Sequence, residues 1–532
     1  MEKKKLIALP ICFGLILIIC SWYLSYPLSI DSPLDFTFNH VSPLYWIGLS
    51  VFLASLYLAA VTSKNNIVKL AICIGIVLSM YSIRYFFYLL PSSDAHTVRG
   101  LTEYAIATGD LDPSKPHHSY FQWPFFFILD QMATSITGLE VTNFEFVLFA
   151  IFGVFYVLAL YVYAFSFSKG DSYIAIVAYF VVMYWFLNYQ FAPFSLAMVL
   201  LFTLFMLETR IFKTRTRELT LATMILFTSI TFVHPFAGVL FIAYTFMMYL
   251  ISRSRNYLQL FVLTLVVYLV VSIFFTRSFF PDVVKQLTII HSGQYAKIVE
   301  RTFSTRIAPA PAIDTIAQMF SRAIVLSTGI VVSLGFLFLL LRKKLRQVDL
   351  AIFFSATFYA AAGAFLPILS QRGWFILLMP MSLGATYFSK SRFKKHLKSL
   401  FLVLMILFPL IPLTESFSDT QIFFQTKNEY QCANFMVDYH NWTRSSSILS
   451  HFRLMNYLKT RTASGAFFKH DLNKDFPENI VNYDCIVYTV GLGKNFLLHN
   501  YSMVELYKNS SYNSIFDSGS SHVLVKTKKS GV

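Results

Sequence analysis

About thirteen apolar runs, each close to the length that crosses a bilayer, follow one another from residue 6 to residue 413. They are Leu6–Ser25, Pro43–Thr62, Ile67–Leu90, Phe144–Phe167, Tyr173–Leu187, Phe191–Leu207 and Leu219–Val233. Pro235–Ile251, Tyr257–Phe275, Ala323–Leu341, Leu350–Leu369, Gly373–Phe388 and Ser399–Leu413 complete the set. Such runs cannot all be buried in one water-soluble core. Of the 532 residues, 56% are hydrophobic and 13% charged, where a soluble domain carries about a quarter charged. The expected class is an α-helical polytopic membrane protein, and the short runs around His234-Pro235 read as a broken hairpin.

Charge sets the sidedness. The net charge of +16 would suggest nucleic acid in a soluble chain. Here the bases sit in short loops: Lys3 to Lys5, Lys64 and Lys69, Arg210 to Arg217, Arg253 and Arg255, Arg342 to Arg346, and Lys390 to Lys398. Alternating the spans puts every cluster on one side, which the positive-inside rule makes cytoplasmic, and nucleic acid is set aside. The first run is not read as a cleaved signal, because no small-residue cleavage site follows it. The loops 26–42, 91–143 and 276–322 and the tail after Leu413 then face outward, with a multi-pass plasma-membrane location.

The expected division is a membrane part, 1–414, with long outer loops 91–143 and 276–322, and an outer domain, 415–532. In the tail, Glu429–Trp442 has helical spacing and His451–Leu458 reads as a second helix. Ser447–Leu449 and Cys485–Val490 read as strands. Asn513–Phe516 and His522–Lys526 flank Asp517-Ser518-Gly519-Ser520, a hairpin turn. This predicts a small α/β domain. Sequons at Asn441, Asn500 and Asn509 all fall in it, compatible with the outer side. Cys432 and Cys485, the two tail cysteines, suit either a disulfide or two buried thiols.

The long outer loop concentrates the chemistry. Ser92-Ser93-Asp94-Ala95-His96-Thr97-Val98-Arg99 puts a carboxylate, an imidazole and a guanidinium directly after a span, and ionisable groups at a membrane rim point to function. Asp94 to Ala107 reads as an interfacial helix ended by Gly109 and Pro113. Trp123–Leu129 is apolar but too short to span, which predicts a dip into the outer leaflet. This Ser-Asp-Ala-His start, followed by Tyr104, Gly109-Asp110 and Tyr120-Phe121-Gln122-Trp123-Pro124, resembles the first outer loop of the polyprenyl-phosphate-dependent GT-C glycosyltransferases, such as the protein mannosyltransferases.

The resemblance implies an inverting hexosyl transfer from a polyprenyl- or dolichyl-phosphate donor to a lipid-linked glycan or a protein, in contact with membrane lipid. It makes Asp94 the general base, since these enzymes carry an acid near the start of this loop. Capping of the interfacial helix is the plainer reading of Asp94. Many members show two adjacent acids where this chain has Asp94-Ala95, so no paired-acid metal site and no cofactor are expected, with a divalent cation left open as the alternative. His96, Arg99 and Glu103 fall on one helix face and could orient acceptor or phosphate, or form an exposed ion-pair face. Gln122 and Trp123 suit sugar contacts, although Trp is commonly an interface anchor.

Arg372, in Ser370-Gln371-Arg372-Gly373-Trp374, is read in a tight outer turn between two late spans. Its planar fork suits a lipid phosphate, as the resemblance also implies, and snorkelling is the alternative. Arg84 lies inside a span and is expected to face the bundle and pair with a carboxylate. His234 is expected to line the cavity or to mark a helix break. The competing function is a transporter or flippase of lipid-linked glycans, but transporters place ionisable groups at the midplane and often show two similar halves. This chain shows neither.

Overall fold

The computed structural model describes residues 2–26, 41–86, 93–115, 118–184, 192–211, 217–276, 312–362, 367–389, 393–412, 430–432, 435–436 and four strands. Backbone alone is described for 2–6, 93–96, 119, 209–211, 312–318, 362, 367–372 and the strands. The helices are α1 (Glu2–Ser25), α2 (Pro43–Thr62), α3 (Asn66–Met80), α4 (Ser93–Thr108), α5 (Phe125–Thr137), α6 (Val141–Phe167), α7 (Ser172–Met183) and α8 (Pro193–Ile211). They continue with α9 (Arg217–Val233), α10 (Pro235–Ser252), α11 (Arg255–Phe274), α12 (Ala312–Leu341), α13 (Gln347–Ala362), α14 (Pro367–Ser389) and α15 (Lys394–Leu407). Six are long and apolar enough to cross a membrane: α1 from Ile7, α2, α6, α10, α11 and α12 from Met319.

Aromatic and aliphatic side chains fill the centre, where α6, α7, α8, α10, α13 and α14 pack on one another. Helix α7 is buried along its whole length, Ser172 to Met183. That explains its apolar composition without any lipid contact. On the periphery the exposed side chains are large and apolar: Phe155 on α6, Val266 and Phe274 on α11, Leu326 on α12, Phe358 on α13. A surface that sheds water in this way belongs in lipid. Helices α12 and α14 cross at Gly335 and Gly384, where an added Cβ on either glycine would collide with the facing backbone. Close backbone approach over small residues is how helices associate without a hydrophobic drive.

The loops sort into two rims. At one, Lys69 Nζ donates to the Gly170 carbonyl at 2.6 Å, and Tyr161 donates to the Asn66 carbonyl at 2.9 Å. There Ser389 donates to Asp171 at 2.8 Å, and Arg346 grips Asp349 while Tyr163 donates to the same carboxylate at 2.6 Å. This rim gathers Lys64, Lys69, Lys169, Arg342, Lys343, Lys344, Arg346 and Lys394. The opposite rim is aromatic. Trp22 donates to the Tyr85 carbonyl at 2.9 Å, Tyr81 stacks on Tyr184 at 5.0 Å, and Tyr184 meets Phe408 at 5.2 Å.

Two expectations need correction. The run 67–90 is not one helix: α3 stops at Met80, Tyr81 leaves helical geometry, and a tight 3-10 turn covers Ser82–Phe86. Ser82 holds that turn by donating to the Ser79 carbonyl and bonding Tyr45. Arg372 does not sit in a turn either. Helix α14 begins at Pro367, a residue whose fixed φ suits a first helical position, so Arg372 lies in its second turn. The break at His234 is present: α9 ends at Val233 and α10 begins at Pro235.

In the tail, β1 (Ile448–Ser450), β2 (Cys485–Tyr488), β3 (Tyr512–Asp517) and β4 (His522–Lys526) form a sheet of order β1-β2-β4-β3. Strands β1 and β2 are parallel, with Leu449 opposite Ile486, and the other pairs are antiparallel. The register slips between Ser514 and Phe516 on β3. Residues 430–432 and 435–436 are helical, within the expected Glu429–Trp442. The expected helix His451–Leu458 lies outside the described residues.

Candidate functional site

Helix α4 is the platform of the site at the aromatic rim. Asp94 and His96 lie in its first turn, where the backbone alone is described. From Val98 onward the helix is sunk into the protein: Val98, Arg99, Leu101, Thr102 and Ala105 are buried. Packing of α4 against α5 and α6 explains why a helix with so few large apolar residues forms at this place.

Arg99 has no solvent exposure and faces the bundle. Its Nε donates to Glu145 Oε1 at 2.5 Å and its Nη2 to Oε2 at 2.7 Å, with both side chains wholly buried. Burial works against the guanidinium charge, but Glu145, then Glu103 and Tyr430, more than offset it and raise its pKa. The two-pronged geometry is the strong form of the arginine–carboxylate pair. Arg99 was expected as a substrate contact beside His96; the structure gives it to Glu145, in the second turn of α6. Four residues along α4, Glu103 accepts from the Tyr430 hydroxyl at 2.7 Å.

Helix α5 is shorter than a span, about 20 Å at 1.5 Å per residue, and starts after Pro124. Gly138 closes it at φ 68, a left-handed position that glycine takes without strain. The expected dip over Trp123–Leu129 is the first half of this helix. It is inverted relative to a soluble helix. Ile128, Leu129, Met132 and Ile136 are exposed, whereas Asp130 and Thr134 are buried. Both Asp130 carboxyl oxygens are buried, with the Thr102 hydroxyl near them. Burial pushes its carboxyl up to about 8, with Thr102 pulling the other way and Glu145 adding to the rise. At neutral pH this side chain is mostly a neutral acid.

The connection between α4 and α5 is ordered by its own side chains. Asp110 and Asp112 accept from the backbone amides of Asp112 and Ser114, each at 2.9 Å. Lys115 bridges Asp110 and the Tyr104 hydroxyl. The hydrogen bond from Lys115 holds the half-buried Asp110 below the usual carboxylate range. His118 is buried edge-on to Tyr104 at 4.5 Å and to Phe121 at 5.1 Å. Gln122 is buried and Trp123 half-buried against the core.

Arg84 is buried in the 3-10 turn, its guanidinium 5.5 Å from the Tyr81 ring and 5.7 Å from that of Phe149. His234 packs on Phe194 at 5.2 Å and Phe236 at 5.6 Å. Phe194 also meets Phe375 at 6.0 Å, three residues after Arg372. The α9–α10 break and the start of α14 therefore share one rim. The side chains of Asp94, His96 and Arg372 lie outside the described residues. Among the described residues no three His, Cys, Asp or Glu side chains come together as a metal site.

Glu145 and Asp130 escaped the sequence reading, the one inside the apolar run 144–167 and the other directly after the run 123–129. The signal was there: a lone acid in a membrane helix needs a partner or a proton.

No protein-family model matches the chain, and no curated protein matches its sequence. In fold it is similar to the oligosaccharyltransferase of Archaeoglobus fulgidus, whose crystal structure is a complex with Zn and sulfate. The TM-score is 0.52 and the identity 13%, over 86% of this chain and 73% of that one. At this identity the likeness is one of fold. Its described helices make this chain a multi-pass helical membrane protein, similar in fold to that archaeal enzyme.

Proposed function

We propose that the protein is a membrane glycosyltransferase that moves a sugar from a lipid phosphate to an acceptor at the rim carrying α4. The observation that carries this reading is the similarity of fold to an oligosaccharyltransferase over 86% of the chain. The anchoring of α4 by the buried Arg99–Glu145 pair is compatible with it. In this reading thirteen helices cross the membrane, the six long ones together with α3, α7, α8, α9, α13, α14 and α15. The basic rim is cytoplasmic. The aromatic rim and the α/β tail lie on the outer face of the plasma membrane.

The donor is a polyprenyl-phosphate-linked sugar, and the acceptor a lipid-linked glycan or a protein. Asp94 takes the proton of the acceptor hydroxyl as its oxygen bonds to the anomeric carbon. The bond from that carbon to the phosphate oxygen breaks with inversion, and the lipid phosphate leaves as an anion. A phosphate needs no general acid to depart, so one base and a cation suffice. Arg372 is assigned the departing phosphate. Gln122 and Trp123, buried and half-buried, flank the loop and could shape the sugar site from behind. Arg84 and His234, packed in aromatic surroundings, hold the rim around it.

The test is transfer by purified protein in lipid nanodiscs from a panel of polyprenyl-phosphate sugars. Turnover lost in Asp94→Asn supports the reading. Movement of lipid-linked glycan across the membrane with no new glycosidic bond would replace it with the flippase.

A further inference from the structure

We propose that Tyr430, Glu103, Arg99 and Glu145 form a positioning relay through which the tail sets the orientation of α4. The kinetic part of this inference rests on the function proposed above; the structural part does not.

Helix α4 is fixed at two points one turn apart. Arg99 ties it to α6 through the buried two-pronged contact with Glu145. Glu103 ties it to the tail through the 2.7 Å hydrogen bond from Tyr430. The two points are not independent, because Glu103 and Tyr430 both contribute to the field that keeps Arg99 charged. The tail does more than touch the helix at one atom. Tyr430 is half-buried, and Cys432 and Met436, further along the same segment, are fully buried. The chain is therefore seated before it reaches β1.

Asp94 precedes Arg99 by five residues, about 7.5 Å along the helix axis. A rigid helix clamped at Arg99 and Glu103 transmits any rotation at those points to its first turn. Small displacements of a reacting group cost rate steeply. Releasing the tail would thus leave the membrane part folded while α4 loses one of its two restraints. None of the four residues need touch substrate, and each acts through α4.

The experiment uses the full chain in nanodiscs and the variants Tyr430→Phe, which removes the donor hydroxyl, and Glu103→Met, which removes the acceptor carboxylate. Hydrogen exchange across 97–108 is expected to speed about tenfold in either variant, the scale of one hydrogen bond to a charged group. The double variant should be no worse than the singles, since both cut the same link. With a working donor, kcat should fall about tenfold while donor KM stays put. Wild-type exchange in α4 in both variants would overturn the relay, whether or not any transfer reaction is found. So would additive effects in the double variant. Faster exchange with unchanged kcat would reduce the link to a fastener and overturn its positioning role.

Discussion

Arg99 on α4 and Glu145 on α6 grip each other through two parallel hydrogen bonds, 2.5 Å and 2.7 Å long, with no solvent on either side chain. Two charges removed from water are tolerable only because each satisfies the other. The pair joins α4, whose first turn carries Asp94, to α6. Its strength is therefore measurable as stability.

Glu145→Gln leaves the buried guanidinium without its paired carboxylate and should cost about 3–5 kcal/mol, as should Arg99→Leu. The double variant Arg99→Leu with Glu145→Leu should recover much of that loss, because no charge is then stranded. Unfolding in mixed micelles, arranged as a double-mutant cycle, measures it. A double variant as unstable as the two singles added together would show that the pair is not coupled.

Asp130 predicts a pH slope of defined sign. Its carboxyl is near 8 in the folded protein and about 3.9 when unfolded, so the folded state holds the proton more tightly. The stability this lends is fully present below pH 4 and is lost as the pH rises toward 8. Asp130→Asn should flatten that slope and gain on the order of 2 kcal/mol at pH 8 relative to wild type. Thermal unfolding between pH 4 and pH 8 decides it; parallel curves for the two proteins would count against a buried neutral acid.

Asp94→Asn keeps the capping ability of the side chain and removes its basicity. Turnover should drop by about 10²–10⁴ with normal expression. Arg372→Lys keeps charge but loses the fork, and donor KM should rise. Steady-state kinetics with a titrated lipid-phosphate donor separate the two, and wild-type kinetics for Asp94→Asn would leave it a cap.

The glycine crossing gives a purely structural prediction. Gly384→Ala puts a methyl into the backbone of Val332 and Phe336, and should cost at least 1–3 kcal/mol, roughly the range for overpacking. Gly329→Ala on the same helix α12 meets nothing within 4 Å and should be silent. Thermal shift of the two variants side by side is sufficient.

Sidedness is checked with single cysteines at Ser114 and Lys343, both exposed and on opposite rims. Impermeant maleimide on intact cells should label the first and spare the second. Labelling of Lys343→Cys alone would invert the topology.

The alternation of apolar runs with basic loops was enough to find the helices: Pro43–Thr62 is α2 to the residue, and the break at His234 falls where Pro235 requires it. Local patterns likewise marked the interfacial helix α4, ended at Gly109, and the hairpin strands around Asp517. These features depend on neighbours in the chain, which the sequence displays directly. What touches what across the bundle does not. The sequence put His96, Arg99 and Glu103 on one face, but only packing against α6 turned Arg99 away from solvent and onto Glu145, 46 residues on. It made Arg372 a turn residue because a polar patch between apolar runs reads the same whether it bends or stays helical. Pro367 and the packing of α14 on α12 and α13 decided for the helix. Asp130 carries the same lesson. Its composition marks a polar interruption, and its meaning, a buried acid on the inner face of a lipid-facing helix, exists only once α4 and α9 pack against α5.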